Sequence, residues 1–408
     1  MGETNRGEEK SLETLQAVIN LEKISQKHPK KKVIIVLDSG RLLGNEKHFL
    51  FYLFQNIKKN ERVYFVTSST PNFQVVSDLG IEVILVAENK INKDEFLILL
   101  DCSIVVTDST VSYGNWSGSP LALAALHGAK WIQMWHGIPM KKIEFDNLPN
   151  EIAEGTFSDG YQLRTKSIHS FIGTTKNDKQ MYEKSFGFMR YHDFGYPRND
   201  CLRRQTSEID LIGTDKEAFR ILIENHNSGK RNFLYAPTFR DVQSQEWPNI
   251  EDLMKLASHV YDKGDALFIA FHPYDLSNYE NISKRIQHAY FVKPTSDIYP
   301  LLQHFDLVIS DYSSLIFDLL HLPVAQVLFT PDLERYRAES RSIDFTIMSQ
   351  PVGPIVDTVE SLIECIYISN KAFDQTYTVT RRKLLKKRFR HRDSNSSKRI
   401  LRYLRKLL

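Results

Sequence analysis

The chain has 408 residues, of which 42% are hydrophobic and 25% charged, and a formal net charge of +3. That length exceeds what one hydrophobic core serves and predicts two domains; the composition is that of a globular protein. Three scattered cysteines, Cys102, Cys201 and Cys365, argue against a disulfide framework or a zinc site and for a reducing compartment. No apolar stretch approaches the roughly 20 residues of a membrane helix, and the polar start of the chain lacks a signal-peptide core, so a cytoplasmic location is expected.

Residues 1–30 read as a polar N-terminal segment. Lys32–Leu37 is the first strand, ending in the turn Asp38-Ser39-Gly40, and a helical pattern follows to about Asn60. Arg62–Thr67, Ile81–Val86, Ser103–Thr107 and Ala129–Met134 continue as strands, with Ser170–Thr174 and Tyr191–Gly195 as shorter candidates. After a polar break at Thr206–Lys216 the pattern restarts with Arg231–Ala236, Ala266–Phe271, His288–Val292, Asp306–Ile309 and Val324–Phe329. Strands separated by helical stretches of about 10–15 residues mean βαβ units and parallel sheets. The expected fold class is α/β, with two doubly wound, Rossmann-like domains at 31–205 and 206–375 and a basic helical tail at 376–408.

That tail carries 13 Lys/Arg against the single acid Asp393 between Arg381 and Leu408, a local +12 that leaves residues 1–380 at −9. A slightly acidic body with a strongly basic end suggests a polyanionic partner. Leu384, Leu385, Phe389, Ile400, Leu401, Leu404, Leu407 and Leu408 fall at helical spacings, which fits an amphipathic helix lying on anionic lipid. The same pattern fits a helix packed on the body with its basic face in water.

Familiar signatures are missing: there is no phosphate loop, dinucleotide fingerprint, H-E-x-x-H helix or G-x-S-x-G elbow, and no Asp-x-Asp clamp, so no dedicated metal site is expected. The chemistry-bearing residues stand at strand ends, the edge where ligands sit in open α/β sheets. His136, in Trp135-His136-Gly137-Ile138-Pro139, directly follows an apolar strand. It suits proton transfer near neutral pH, or serves as a structural imidazole bonded to a loop carbonyl. His272 ends a second strand in the same way. Ser310-Asp311-Tyr312-Ser313-Ser314 lies between a strand and an apolar run, where hydroxyls and free N–H groups at a helix start bind phosphate or simply cap the helix. Thr238 and Arg240 follow a third strand, and Arg240 could grip phosphate bidentately. Asp297, in Thr295-Ser296-Asp297, reads as a cap near the same edge. Lys141 and Lys142 could draw in a polyanionic acceptor or form a solvated turn.

Trp135-His-Gly-Ile-Pro-Met-Lys-Lys-Ile143, Phe194-Gly-Tyr-Pro-Arg-Asn-Asp200, Tyr235-Ala-Pro-Thr-Phe-Arg-Asp241, Ser310-Asp-Tyr-Ser-Ser314 and Asp332-Leu-Glu-Arg-Tyr-Arg337 occur in order. Together they resemble the CDP-glycerol glycerophosphotransferases, which prime or polymerise teichoic acids and some capsules, over residues 30 to 400. The resemblance implies a GT-B fold, the two domains facing a cleft. It implies transfer of glycerol phosphate or ribitol phosphate from CDP-glycerol or CDP-ribitol to a hydroxyl of a polyol-phosphate or glycan acceptor, often lipid-linked, with release of CMP. It gives His136 the part of general base and His272 that of a second essential histidine. It places Arg240, Ser313 and Ser314 at the donor pyrophosphate; read from the residues themselves, Thr238, Ser310, Asp311 and Asp297 fall on the same donor side and Lys141 and Lys142 on the acceptor side. No cofactor is required on this reading, though Mg²⁺ travelling with the diphosphate is compatible with it; no nucleic acid is expected, and the enzyme would work on the inner face of a bacterial cell membrane. Departures from the usual family pattern are Ile138 for Thr, Phe239 for Trp and Phe-His-Pro-Tyr around His272. Two other readings share these features: a GT-B glycosyltransferase using a nucleotide sugar for a capsule or lipopolysaccharide, and a non-catalytic α/β protein that binds a polyanion through its tail.

Overall fold

A computed structural model describes residues 2–87, 91–111, 113, 116–140, 142–146, 168–238, 240, 249–272, 276–339, 350–368 and 370–408. The chain divides into two compact units, one of residues 1–136, 156–198 and 395–408, the other of residues 137–155 and 199–394.

The first unit holds β1 (Val33–Leu37), β2 (Arg62–Thr67), β3 (Val83–Leu85), β4 (Ile104–Thr107), β5 (Lys130–Gln133), β6 (Ile168–Ile172) and β7 (Arg190–His192), in the order β3-β2-β1-β4-β5-β6-β7. Every pairing is parallel. β1 is five buried β-branched and Leu residues in a row, the composition of a strand covered on both faces. The order reverses between β1 and β4, so their carboxyl ends border the crevice where such sheets bind ligands.

The second unit repeats the plan with β8 (Asn232–Tyr235), β9 (Ala266–Ile269), β10 (Ala289–Phe291), β11 (Leu307–Ser310), β12 (Ala325–Phe329) and β13 (Ile355–Val356), in the order β10-β9-β8-β11-β12-β13. Its alternate residues feed two cores. Phe233, Tyr235, Leu267, Ile269, Leu307 and Ile309 pack on one face, and Leu234, Phe268 and Val308 on the other. Alternation of Cβ direction along a strand demands this split. Here the reversal falls between β8 and β11. The two-residue β13 escapes a reading by apolar runs because it is too short to make one.

Three boundaries differ from the sequence expectation. The polar segment 1–30 is largely a helix, Gly2–Lys27, seated where the Ser25 hydroxyl donates to the Ala125 carbonyl (2.5 Å) and the Gly128 N–H to Ser25 Oγ (3.0 Å). A Cβ at Gly128 would lie 2.2 Å from the Ser25 carbonyl oxygen, so only glycine admits the helix there. The division between units falls at Arg198/Asn199 rather than at 205/206.

The basic tail is two helices, not one. Helix Asn370–Arg388 belongs to the second unit, where Arg381 Nη2 donates to the carbonyls of Leu322 (3.1 Å) and Val324 (2.9 Å). Helix Ser396–Leu407 returns to the first unit. Its Ile400, Leu401 and Leu404 are buried, and it packs along helix Gly44–Asn56. Arg405 forks onto Glu61 (2.8 and 2.9 Å), which holds that carboxyl below its ordinary range. The apolar stripe that fits a lipid surface is thus spent on the protein body, while Lys398, Arg402 and Lys406 stay exposed.

Candidate active site

In the first unit, β5 runs into Trp135 with φ +54° and Gly137 with φ +141°. A left-handed tryptophan costs about 1–3 kcal/mol and persists only if its surroundings hold it. They do: Trp135 N–H donates to Gln133 Oε1 (2.7 Å), and its carbonyl accepts from Asn45 Nδ2 (2.6 Å). The indole lies against the His136 ring, with centroids 3.8 Å apart, and meets Phe186 edge-on at 4.7 Å. The turn leaves His136 exposed beyond the strand end.

His136 Nδ1 lies 3.2 Å from the Asp108 carbonyl oxygen. A carbonyl only accepts, so the neutral ring carries its hydrogen on Nδ1 and its lone pair on Nε2. The loop-carbonyl contact anticipated for a structural histidine is present, and it selects the tautomer a general base needs.

Below this turn lies a set of carboxyl groups that sequence reasoning missed. Glu46, at the start of helix Gly44–Asn56, accepts from the Thr107 hydroxyl and Asp108 N–H (both 2.9 Å) and from the Ser39 N–H and hydroxyl (both 3.0 Å). Asp108 Oδ2 accepts from Glu46 N–H (3.1 Å). Asp38 accepts from the Thr67 hydroxyl (2.5 Å), Asn72 (2.8 Å) and Gly40 N–H (3.0 Å). Burial pushes Asp108 up to about 6, against the pull of its hydrogen bonds and of Arg198. Burial, then the Asp108 and Asp38 charges, push Glu46 well above its usual range. The pair therefore retains a proton well above ordinary carboxylate pH. Asp108 was legible by the rule that singled out His136, since it too follows an apolar strand. Asn45 and Glu46 carried no such signal.

In the second unit, the residues expected to hold the donor, Asp297 apart, lie on the loops after β8 and β11, and three of them, Thr238, Arg240 and Asp311, hold one another. Asp311 Oδ1 accepts from the Thr238 N–H (2.9 Å), the Thr238 hydroxyl (2.5 Å) and Tyr312 N–H (2.6 Å). Arg240 donates to Asp311 Oδ2 (2.8 Å), to both Asp332 oxygens (2.8 and 3.2 Å) and to the Thr238 carbonyl (2.6 Å). Its guanidinium lies over Tyr312 (5.2 Å) and Tyr336 (4.7 Å), which stack on each other at 3.9 Å. Burial alone would depress this guanidinium, but the two carboxylates hold its pKa above the ordinary value. The Ser310 hydroxyl donates to the Ala236 carbonyl (2.8 Å). Arg240 is thus engaged as a strut between the two loops.

Half-buried Ser313 accepts Leu315 N–H at 3.2 Å, and half-buried Ser314 follows it. The helix they open, Leu315–Asp318, is four residues long, too short for the dipole argument made from sequence; hydroxyls and N–H groups are what the turn offers. His272 stands three residues beyond Ile269 on β9, and Thr238 three beyond Tyr235, the residue registered with Ile269 on β8. Asp297 is buried at the start of the 3₁₀ turn Tyr299–His304, capping Tyr299 N–H (3.0 Å) while its own N–H donates to the Gly213 carbonyl (2.8 Å). Lys142 is exposed, and Lys141 lies outside the described residues. Among the described residues no group of three His, Cys, Asp or Glu is placed to hold a metal ion.

A cavity of about 1010 Å³ lies beside the strut, with Tyr235 and Phe329 in its wall and Asp252, Asp332, Glu334 and Asp357 around it. Its lining carries more carboxylates than cations, with Arg335 among them, and that balance disfavours a diphosphate anion.

The family described as CDP-Glycerol:Poly(glycerophosphate) glycerophosphotransferase matches residues 20–406. A teichoic acid poly(glycerol phosphate) polymerase of Bacillus spizizenii W23 is 28% identical over 271 residues, 64% of this chain and 66% of the relative. A teichoic acid glycerol-phosphate transferase of Staphylococcus aureus is 26% identical over 60% of this chain and 62% of the relative. A teichoic acid ribitol-phosphate polymerase, TarL, of the same species is 25% identical over 67% and 47%. The matches thus span less than two thirds of the length of these relatives. The solved structure of the wall teichoic acid polymerase TagF superposes with a TM-score of 0.68 at 19% identity, covering 98% of this chain and 96% of that one, which shows a shared fold of the GT-B type. The expected fold class and the family resemblance both hold: this chain belongs to the CDP-glycerol:poly(glycerophosphate) glycerophosphotransferase family.

Proposed function

We propose that the protein transfers glycerol phosphate or ribitol phosphate from a CDP-activated polyol to a hydroxyl of a teichoic acid chain. The observation that carries the reading is His136, exposed at a strand end, with its Nδ1 hydrogen directed to the Asp108 carbonyl. In this role Nε2 takes the proton from the acceptor hydroxyl. The acceptor oxygen forms a bond to the polyol-bearing phosphorus, the bond from that phosphorus to the bridging oxygen breaks, and CMP leaves with the electron pair. His272 and the hydroxyls and N–H groups of the Ser313-Ser314 turn are assigned to the donor's phosphates, and Lys142, with Lys141, to the anionic acceptor. Mg²⁺, where it takes part, enters on the donor diphosphate. Lys398, Arg402 and Lys406, on the outer face of the last helix, are assigned to anionic lipid on the inner face of the membrane, where a lipid-linked acceptor would be met.

The test is nucleotide release. Purified protein is given CDP-glycerol, CDP-ribitol or UDP-sugars with a lipid-linked glycerol-phosphate acceptor, with and without EDTA, and CMP, UDP and product mass are followed. CMP release that His136→Ala lowers by about 10²–10⁴-fold is the expected result. Release of UDP alone, or an undiminished His136→Ala rate, overturns the reading.

A further inference from the structure

We propose that Asn45 and Arg198 are positioning residues that hold His136 in its reactive pose by clamping the backbone on both sides of it. The proposal rests on the reading of His136 as the base and extends it to two residues of other elements. Asn45, fully buried in the first turn of helix Gly44–Asn56, uses both ends of its amide. Its Nδ2 donates to the Trp135 carbonyl (2.6 Å), the residue before His136, and its Oδ1 accepts from Arg198 N–H (3.1 Å). Arg198, 5% exposed, sends Nη1 to the carbonyl of His136 itself (2.7 Å). The left-handed Trp135 and the Gly137 beside His136 are the positions at which such a turn would otherwise relax.

Two carbonyls flanking one side chain are thus fixed by buried donors, and one of those donors is tied to the other. The imidazole hydrogen bond to Asp108 completes a three-point hold. A charged donor on the His136 carbonyl is the strong kind of hydrogen bond, directional and short. It draws Arg198 toward Asp108, whose carboxyl feels its charge. Asn45 and Arg198 do not touch the reacting atoms on this account; they act through His136.

The experiment uses the full chain with CDP-glycerol and a glycerol-phosphate acceptor, reading CMP release. Asn45→Ala and Arg198→Met should each lower kcat about 100-fold, the loss expected for a base displaced by about 1 Å, with the donor KM changed less than about threefold. Arg198→Lys, which keeps a charged donor, should recover part of that loss. In a His136→Ala background both substitutions should cost nothing further. Long-range ¹⁵N correlation of the imidazoles, assigned with His136→Gln, should show the Nδ1–H tautomer in the native protein and a mixture in Asn45→Ala.

Losses that add to that of His136→Ala, or a native tautomer in both variants, overturn the proposal. If Asn45→Ala does not fold, the comparison of Arg198→Met with Arg198→Lys decides it alone. An undiminished His136→Ala rate removes the base reading instead, and the imidazole spectrum then still reports whether the clamp holds the ring.

Discussion

Arg240→Met should damage stability before it damages donor binding. Arg240 is 9% exposed and pairs with Asp311 (2% exposed) and Asp332 (9%), each at 2.8 Å. Methionine keeps the stem's volume and removes the charge, so buried Asp311 loses this cation without gaining water and Asp332 is left with Arg335 at 3.8 Å. Breaking a buried ion pair by deleting one partner costs about 3–5 kcal/mol, and losing the two aromatic faces adds about 0.5–2 kcal/mol. Taking the ion-pair term alone, a domain of about 150–250 residues shifts by roughly 2–4 °C per kcal/mol, which places the second unit's melting transition roughly 6–20 °C lower. Scanning calorimetry on the native protein and on Arg240→Met measures this, and donor titration below the transition measures KM. A methionine variant with an unmoved transition and a KM for CDP-glycerol raised tenfold or more would refute the reasoning: the guanidinium's working partner would then be the donor and not the two aspartates.

Two further outcomes follow from the first unit. With Asp108 raised from an ordinary 3.8 to about 6 by burial, the folded state binds the proton more tightly than the unfolded chain. The stability this provides is fully present below about pH 4 and is lost as pH rises to about 6. Asp108→Asn should flatten that slope in urea unfolding followed from pH 4 to 7, and an unchanged slope would move the effect to another group. Leu404→Ala on the last helix should cost about 2–5 kcal/mol by leaving a cavity while sparing binding to anionic vesicles. Lys398→Glu with Arg402→Glu should weaken vesicle binding and leave the melting point unmoved; the reverse pattern in sedimentation and melting assays would mean that the helix detaches to meet lipid.

Much of the fold was legible because both sheets are parallel and buried on both faces, so their strands appear as apolar runs such as Val33–Leu37 and Leu307–Ser310. The strand-end positions of His136, His272 and the 310–314 turn followed from that alone. Partners distant in sequence were not legible. Asp332 reaches Arg240 from 92 positions away, and nothing local distinguishes a guanidinium awaiting phosphate from one already matched. The last helix stayed open between two readings for a related reason: an apolar stripe of Ile400, Leu401 and Leu404 looks the same whether lipid or helix Gly44–Asn56 covers it. Glu46 was hidden because a glutamate in a helix's first turn is an ordinary preference and its burial is set by tertiary packing.

The two crevices share a logic that bears on how an anion is held. In each, the strand order reverses and the loops leave the sheet, stranding polar groups that water cannot reach; ionisable side chains fill that need internally. In the first unit Glu46 and Asp38 take up N–H and hydroxyl donors from Ser39, Gly40, Thr67, Thr107 and Asp108, and the Asp108 carboxyl takes the Glu46 N–H. In the second, one guanidinium faces two carboxylates. Arg240 therefore offers a diphosphate no net positive field. What it secures is the spacing of the loops that carry Thr238 and the Ser313-Ser314 turn. On the proposed reading, a donor bound there would meet the hydroxyls and N–H groups of those loops. Such dipoles stabilise developing charge without reorganising and without a cation that must first be stripped of its own partners. The buried charges thus build the crevice, and on the proposed reading the hydroxyls and N–H groups are left to the ligand.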